Sequence, residues 1–317
     1  MRFILTRIGA AILILAIKSF VIFALIGLMP GDPVDLLMTA NPDATPEDVA
    51  KLRSIYGVDQ PFTARYVAWL ASALHGDLGF SRIQHRPVLE VVGPALVNTL
   101  MLTGTAFLIS TAIALSLGTI AALRQGRWIE RVINLLAYCG ISLPGFWLGL
   151  LLIYVFAVKL GLLPAGGMPR AGENHPAWAY LLLPLATLVT VEIGGLTRYT
   201  RTAVLEVIGQ DHVRTAHAKG LSPWRVTIRH ILRNAMIPVV TVIALDFGHL
   251  LSGVTLIETM FGWRGMGRLI YESIMGNDYN LALVCLLATT AMILLGSLLA
   301  DIAYSWLDPR ISLDRKR

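Results

Sequence analysis

The chain has 317 residues, of which 56% are hydrophobic and 15% charged, with a formal net charge of +6 and a mean hydropathy of +0.68. That balance lies outside the range of soluble domains and excludes a water-soluble enzyme, so the basic excess is read against a membrane before nucleic acid is considered. Cys139 and Cys285 both fall inside apolar runs, with neither a disulfide framework nor metal spacing.

Six windows are long and apolar enough to cross a hydrocarbon core of roughly 30 Å: about 8–29, 96–123, 132–158, 179–203, 237–257 and 282–305. The first, IGAAILILAIKSFVIFALIGLM, is too long for a signal-peptide core and lacks a small-x-small cleavage site, so it reads as an uncleaved span. With the N-terminus inside, Arg2, Arg7, Arg124, Arg127, Arg131, Arg198, Arg201 and the tail DRKR all fall at cytosolic positions, whereas the outer segments carry an excess of acids. The charge asymmetry predicts cytosolic N- and C-termini and an all-α integral membrane protein with six transmembrane helices. Without an internal repeat or flexible linker, residues 1–317 read as a single transmembrane domain.

The connection of about 30–95 lies outside and is too long to be structureless. In TPEDVAKLRSIYG, Thr45 reads as an N-cap, Pro46 as the first helical residue and Gly57 as the stop. The following FTARYVAWLASALHG places Tyr66 and Trp69 on an amphipathic stretch suited to the membrane interface. Together they predict a small external subdomain between the first two spans.

The cytosolic connection of about 204–236 contains DHVRTAHAKGLSPWRVTIRHILRN, from Asp211 to Asn234. Gly220 follows a helix-compatible run ending in Lys219, where a left-handed backbone and a cation at the helix C-terminus both fit. Ser222 and Pro223 then read as the N-cap and first residue of a second helix. A linker that served only to join two spans would not need a capped hinge.

Within the spans, Lys18, Glu192, Asp246 with His249, and Asp301 are ionisable; Lys18, Glu192 and Asp246 fall near mid-depth and Asp301 close to the cytosolic end. Charges at mid-depth face a cavity or a partner. They read either as the lining of a path for a zwitterionic solute or as a structural bridge from Lys18 to one of the acids. His212, His217 and His230 lack metal spacing, and no nucleophile motif accompanies His249 and Ser252. These features predict no metal site and no catalytic residues. No lysine follows a glycine, so a Walker-type phosphate loop is absent and ATP could be used only by another polypeptide.

The pattern of Ala216, three residues, Gly220 and an apolar helix resembles the EAA loop of importer-type ABC transporter permeases. DHVRTAHAKG…HILRNAMIP is similar to the form in the dipeptide, oligopeptide and nickel group. MPGDP after the first span, GDLGFS at Gly76–Ser81, GISLPGFWLG at Gly140–Gly149 and FGWRGMGRL at Phe261–Leu269 agree in order and spacing. Arg214-Thr215-Ala216 stands in place of Glu-Ala-Ala, Arg233 in place of the loop's general proline, and Arg264 where a proline is more familiar.

The resemblance implies a type I importer permease in a bacterial cytoplasmic membrane, moving di- or oligopeptides by alternating access. It also implies a paralogous permease as heterodimer partner, two ATP-binding subunits that hold ATP and Mg, and an external solute-binding protein; it implies no cofactor on this chain. The coupling residues it implies are Asp211, Arg214, Thr215, Ala216, Lys219, Gly220, Ser222, Pro223 and Arg233, with Arg225 and Arg229 completing a polar rim, and Ala216 small to let backbones approach. Nickel chelates, glutathione or another small solute would use the same architecture. A secondary transporter would require an inverted repeat that is not evident.

Overall fold

In the computed structural model, the described residues are 2–28, 60–169, 175–248 and 254–307. The chain, read from its sequence as one domain, groups by its contacts into two compact units: Met1–Ala95 with Leu269–Ala291, and Leu96–Arg268 with Met292–Arg317. In chain order the helices are α1 (Arg2–Gly27), α2 (Phe62–Leu74), α3 (Val88–Leu123), α4 (Trp128–Ser142), α5 (Gly145–Leu152), α6 (Ala177–Ile208), α7 (Asp211–Ala218), α8 (Pro223–Val226), α9 (Arg233–Gly248), α10 (Thr255–Met260), α11 (Met266–Met275) and α12 (Tyr279–Leu307). Among the described residues five helical segments are long and apolar enough to span, and α4 with α5 makes a sixth if the bent pair is taken as one span.

The sixth is not the continuous span that the window 132–158 predicts. The α4 and α5 axes meet at 102°, with Leu143 and Pro144 at the break. Proline lacks the N–H that would continue the ladder and disfavours a helical residue before it, and Leu143 is accordingly extended. A π-helical stretch, Ile153–Lys159, completes this limb.

In the first unit, Ser19 and Tyr66 share a hydrogen bond of 2.8 Å, and Phe20 and Phe23 of α1 pack on Phe62 and Tyr66 of α2. Trp69 lies against Phe23. Tyr66 and Trp69, expected at the membrane interface, thus bind α2 to α1. The helix predicted over Thr45–Gly57 lies outside the described residues. The GDLGFS motif forms the start of a short hairpin, with Phe80 opposite Pro87 and Ser81 opposite Arg86. Buried Asp278 holds it by accepting from the Ser81 hydroxyl (2.6 Å) and the Ile83 N–H (3.0 Å), while its other oxygen caps α12 at the Leu281 N–H (3.2 Å).

In the second unit α6 is the central helix. It meets α4 where a Cβ on Gly194 would collide with the Ala137 carbonyl and one on Gly140 would stand 2.6 Å from the Thr190 carbonyl. Small residues allow this approach, which is how helices gain contact where apolar burial gives no driving force. GFWLG serves the same purpose: a Cβ on Gly149 would meet Met260 and Phe261, so the motif packs within this chain.

Candidate functional site: the cytosolic hinge and its surroundings

The hinge in DHVRTAHAKGLSPW is a helix C-terminus of defined geometry. Gly220 has φ +73°, its N–H donates to the His217 carbonyl (2.9 Å), and the Leu221 N–H donates to the Ala216 carbonyl (3.4 Å). These are the two bonds of a Schellman motif, with the left-handed residue directly after the helix cap. No atom lies within 4 Å of a Cβ placed on Gly220. Glycine is therefore required by backbone conformation and not by crowding.

Pro223 occupies the first turn of α8, as its fixed φ allows. Ser222 sits at the N-cap with an extended backbone, but its side chain makes no capping bond, so the expected hydroxyl cap is absent. The second helix continues into the fifth span: α8 runs through a π-helical stretch, Thr227–Leu232, directly into α9, with Thr227 and Arg233 both in helical conformation. The hinge is thus joined to the fifth span by unbroken helix.

The inner face of the hinge is core. Val213 and Ala216 of α7, Val226 of α8 and Ile231 pack with Ala114 and Ala122 of α3, Val204 and Val207 of α6, and Ala235 and Val239 of α9. Ala216 is 3% exposed. Its small side chain packs inside this chain, against the core formed with α3, α6 and α9.

His212 makes a contact of 3.2 Å with the His230 carbonyl and is met by the Asn234 amide at 3.2 Å, fastening α7 to the base of α9. His217 bonds the Val213 carbonyl within its own helix.

The outer face carries Asp211, Arg214, Thr215, Lys219, Arg225 and Arg229, all exposed; Arg233 is exposed on α9. Thr215 Oγ1 donates to the Asp211 carbonyl at 2.9 Å. Arg214 and Asp211 are 3.8 Å apart with side chains 76% and 97% exposed, so their pairing adds little to stability. Sequence reasoning left out Trp224, which is 75% exposed among these cations. A tryptophan directly after the first-turn proline of a charged loop was the available signal.

A second missed residue is Glu258, fully buried in α10. Its carboxylate accepts from the Thr99 hydroxyl (2.5 Å) and the Arg268 N–H (3.1 Å), and Thr99 Oγ1 accepts in turn from the Met266 N–H (2.7 Å). Burial pushes the Glu258 carboxyl above the usual 4.5, and the Thr99, Arg268 and Gly267 donors act against that rise. FGWRGMGRL follows from this arrangement, because a Cβ at Gly265 would strike the carboxylate and one at Gly267 would stand 2.6 Å from the Thr255 backbone. The Arg264 turn, where a proline was expected, is held instead by Asn98. That amide donates to the Arg264 carbonyl (2.8 Å), and the Asn98 carbonyl receives the Trp263 indole N–H (3.0 Å). The signal was a lone acid just before a glycine-rich motif.

Of the mid-depth residues, Glu192 accepts from the Ser110 hydroxyl at 2.8 Å, and Asp246 on α9 is its electrostatic neighbour. Phe107 and Phe247 make an edge contact at 5.7 Å between α3 and α9. Lys18 is exposed on α1 in the first unit, and His249 and Ser252 lie outside the described residues.

Residues 114–313 match the family model described as the binding-protein-dependent transport system inner membrane component, and residues 1–103 match its N-terminal membrane component. The chain belongs to this family of inner membrane transport components. The permease is 36% identical over 310 residues to the probable peptide ABC transporter permease protein y4tP of Sinorhizobium fredii, covering 98% of each chain. It is likewise 36% identical over 311 residues to the glutathione transport system permease protein GsiC of Escherichia coli O6:H1, covering 98% of this chain and 99% of that one.

Its fold is similar to that of the MetNI methionine ABC transporter, solved in inward-facing conformations, with a TM-score of 0.56 at 16% identity over 70% of the permease and 98% of that chain. An amino acid ABC transporter also matches, with a TM-score of 0.51 over 67% and 92% of the two chains. The permease is thus a multi-pass inner membrane protein of the type I importer fold.

Proposed function

We propose that the permease is the membrane-spanning subunit of an ATP-driven importer of di- or oligopeptides, energised through the α7–Gly220–α8 hinge by separate ATP-binding subunits. The observation that carries this reading is the two-sidedness of the hinge. Its inner face is built into the core of α3, α6 and α9, and its outer face presents Trp224 within a ring of cations to the cytosol. An element of that kind moves as one piece with the spans behind it, because packed cores shift between discrete arrangements and do not deform continuously.

ATP drives the cycle only if the ATP-bound partner holds one arrangement more tightly than the other. A displacement of the hinge then passes along the helix from α8 to α9 and, through Val204 and Val207, to α6. The external solute-binding protein delivers substrate on the opposite side, a sister permease completes the pathway, and ATP with Mg binds the partner ATPases. The names of the relatives support peptides as the substrate class; glutathione is itself a tripeptide and falls within it.

Glu192 and Asp246 supply negative charge at mid-depth for the ammonium group of a zwitterionic peptide. Glu192→Gln should leave assembly intact and lower uptake, and unchanged uptake would remove this residue from the path. The test of the whole reading is Gly220→Val in the reconstituted complex. The variant should insert and retain its partners, while substrate-stimulated ATP hydrolysis and uptake fall. Normal stimulation and uptake would mean that the hinge does not transmit.

A further inference from the structure

Between α4 and α6 lies an open cavity of about 420 Å³ lined by Asn134 and Tyr138 of α4 and by Arg198, Tyr199, Arg201 and Thr202 of α6. That volume is in the range of small-molecule sites. One of its two guanidinium groups is already committed: Arg201 donates through Nε (2.8 Å) and Nη2 to the Glu130 carboxylate, which also accepts from the Gly126 N–H at 2.6 Å. Arg198 has no such partner. Its Cζ stands 4.3 Å from the centre of the Tyr138 ring, and among the described residues no carboxylate lies within ion-pair distance of it. Two arginines and one glutamate leave the cavity with one net positive charge, located on Arg198.

Arg198 is an exposed residue of α6, beyond Glu192 toward the C-terminus of that helix. It lies three residues before Arg201 on α6, roughly 4.5 Å further from the C-terminal end of that helix. Side chains of a helix lean toward its N-terminus, so Arg198 stands on the N-terminal side of the Arg201–Glu130 pair. An exposed guanidinium with no carboxylate partner among the described residues is available to an anion. The Tyr138 ring attracts the guanidinium without using its N–H donors, whose fork suits carboxylate and phosphate. The Asn134 amide and the Tyr138 and Tyr199 hydroxyls line the same space and can donate to further oxygens.

We propose that this cavity binds a single oxyanion group, carboxylate or phosphate, with Arg198 as its charged anchor. The inference rests on the reading above that the hinge is cytosolic, which decides that the site opens near the inner leaflet. Two sources share the chemistry: the headgroup phosphate of an anionic phospholipid, and the carboxylate of a solute on the cytosolic side.

The test uses the complete wild-type transporter in nanodiscs and follows modification of individual arginines by phenylglyoxal with peptide mass spectrometry. Rates are compared in phosphatidylcholine alone, with phosphatidylglycerol added, and in phosphatidylcholine with acetate or inorganic phosphate replacing chloride at equal ionic strength. Arg127, exposed in the turn before α4, is the internal control. Arg198 should be protected at least about tenfold in one arm while Arg127 is unchanged, in line with a charge-assisted pair. Protection by phosphatidylglycerol alone assigns the lipid, and protection by acetate assigns the solute carboxylate; protection by inorganic phosphate without acetate favours the phosphate headgroup. Equal Arg198 rates in all conditions would overturn the proposal. Orientation is read separately with an impermeant arginine reagent. Reaction of Arg127 in intact cells and not in inverted vesicles would reverse the sidedness and leave the protection result standing.

Discussion

Two corners of the permease solve the same problem by opposite means. The α7–Gly220–α8 corner is held by apolar side chains, chiefly Val213, Ala216 and Val226, and by a glycine turn, with its charges left on the outer surface. The α10–α11 corner is held from inside by one buried carboxylate, Glu258, which gathers a hydroxyl and backbone N–H groups across Gly265 and Gly267. An apolar corner spreads its stability over many contacts and leaves its polar face for a partner. The ionic corner concentrates stability in one group, so its loss is felt all at once and its strength follows pH.

The sharpest way to break the comparison is to remove the carboxylate. Glu258→Ala strands the Thr99 hydroxyl and the Arg268 N–H in a buried site and opens a cavity, at a cost of roughly 3–5 kcal/mol. Thermal unfolding in detergent should register it, and a loss below about 1 kcal/mol would mean that the outer corner is not held by this group. At the apolar corner, Gly220→Val should cost only about 1–3 kcal/mol of local strain. Gly220→Asn, which tolerates the left-handed region, should restore most of that loss and of the coupling. If asparagine and valine behave alike, backbone conformation is not what the position requires.

Trp224→Ala sharpens the contrast between holding the corner and using it. At 75% exposure the side chain contributes little to folding, so the melting temperature should stay within the small range of surface changes. Four basic residues, Arg225, Arg229, His230 and Arg233, separate it from the apolar part of the span, which places it beyond the lipid and within reach of a protein partner. Retention of the ATP-binding subunit on tagged permease should fall by about 2 kcal/mol or roughly thirtyfold, as for an aromatic anchor. Unchanged retention would leave the cationic ring as the contact.

The smallest expected effect is the pH slope. Burial raises the Glu258 carboxyl in the folded state, so the native form holds its proton more tightly than the unfolded chain. The stability from this group is fully present below the usual 4.5 and is lost as pH rises through the raised value. The wild-type melting temperature should therefore decline over that window relative to Glu258→Gln, which cannot titrate. Parallel profiles would remove the charge argument.

Much of this was readable from residue order alone. Long apolar windows located the spans because lipid demands length and low charge, and Gly220 with Pro223 located the hinge because each is nearly dictated by backbone conformation. What escaped depended on tertiary distance. Hydropathy averages across Pro144 and cannot register a 102° bend between two apolar helices. Ser222 has the residue type of a cap but bonds nothing, and Ala216 faces its own chain because α3 and α9 lie behind it. Glu258 was passed over because its partners are 159 and ten residues away.

The π-helical stretch Thr227–Leu232 has a consequence of its own. An α-helix advances roughly 100° per residue, and a π stretch accommodates an additional residue without interrupting the rod. The bearing of Trp224 around the helix axis and the bearing of Val239 toward the bundle are thereby uncoupled by about one residue of phase. A transmission shaft that had to satisfy both ends with one uninterrupted α-helical register would have its docking azimuth dictated by membrane packing. Here the two azimuths were set separately, so the aim of the cytosolic end could be adjusted while the membrane end kept its fit.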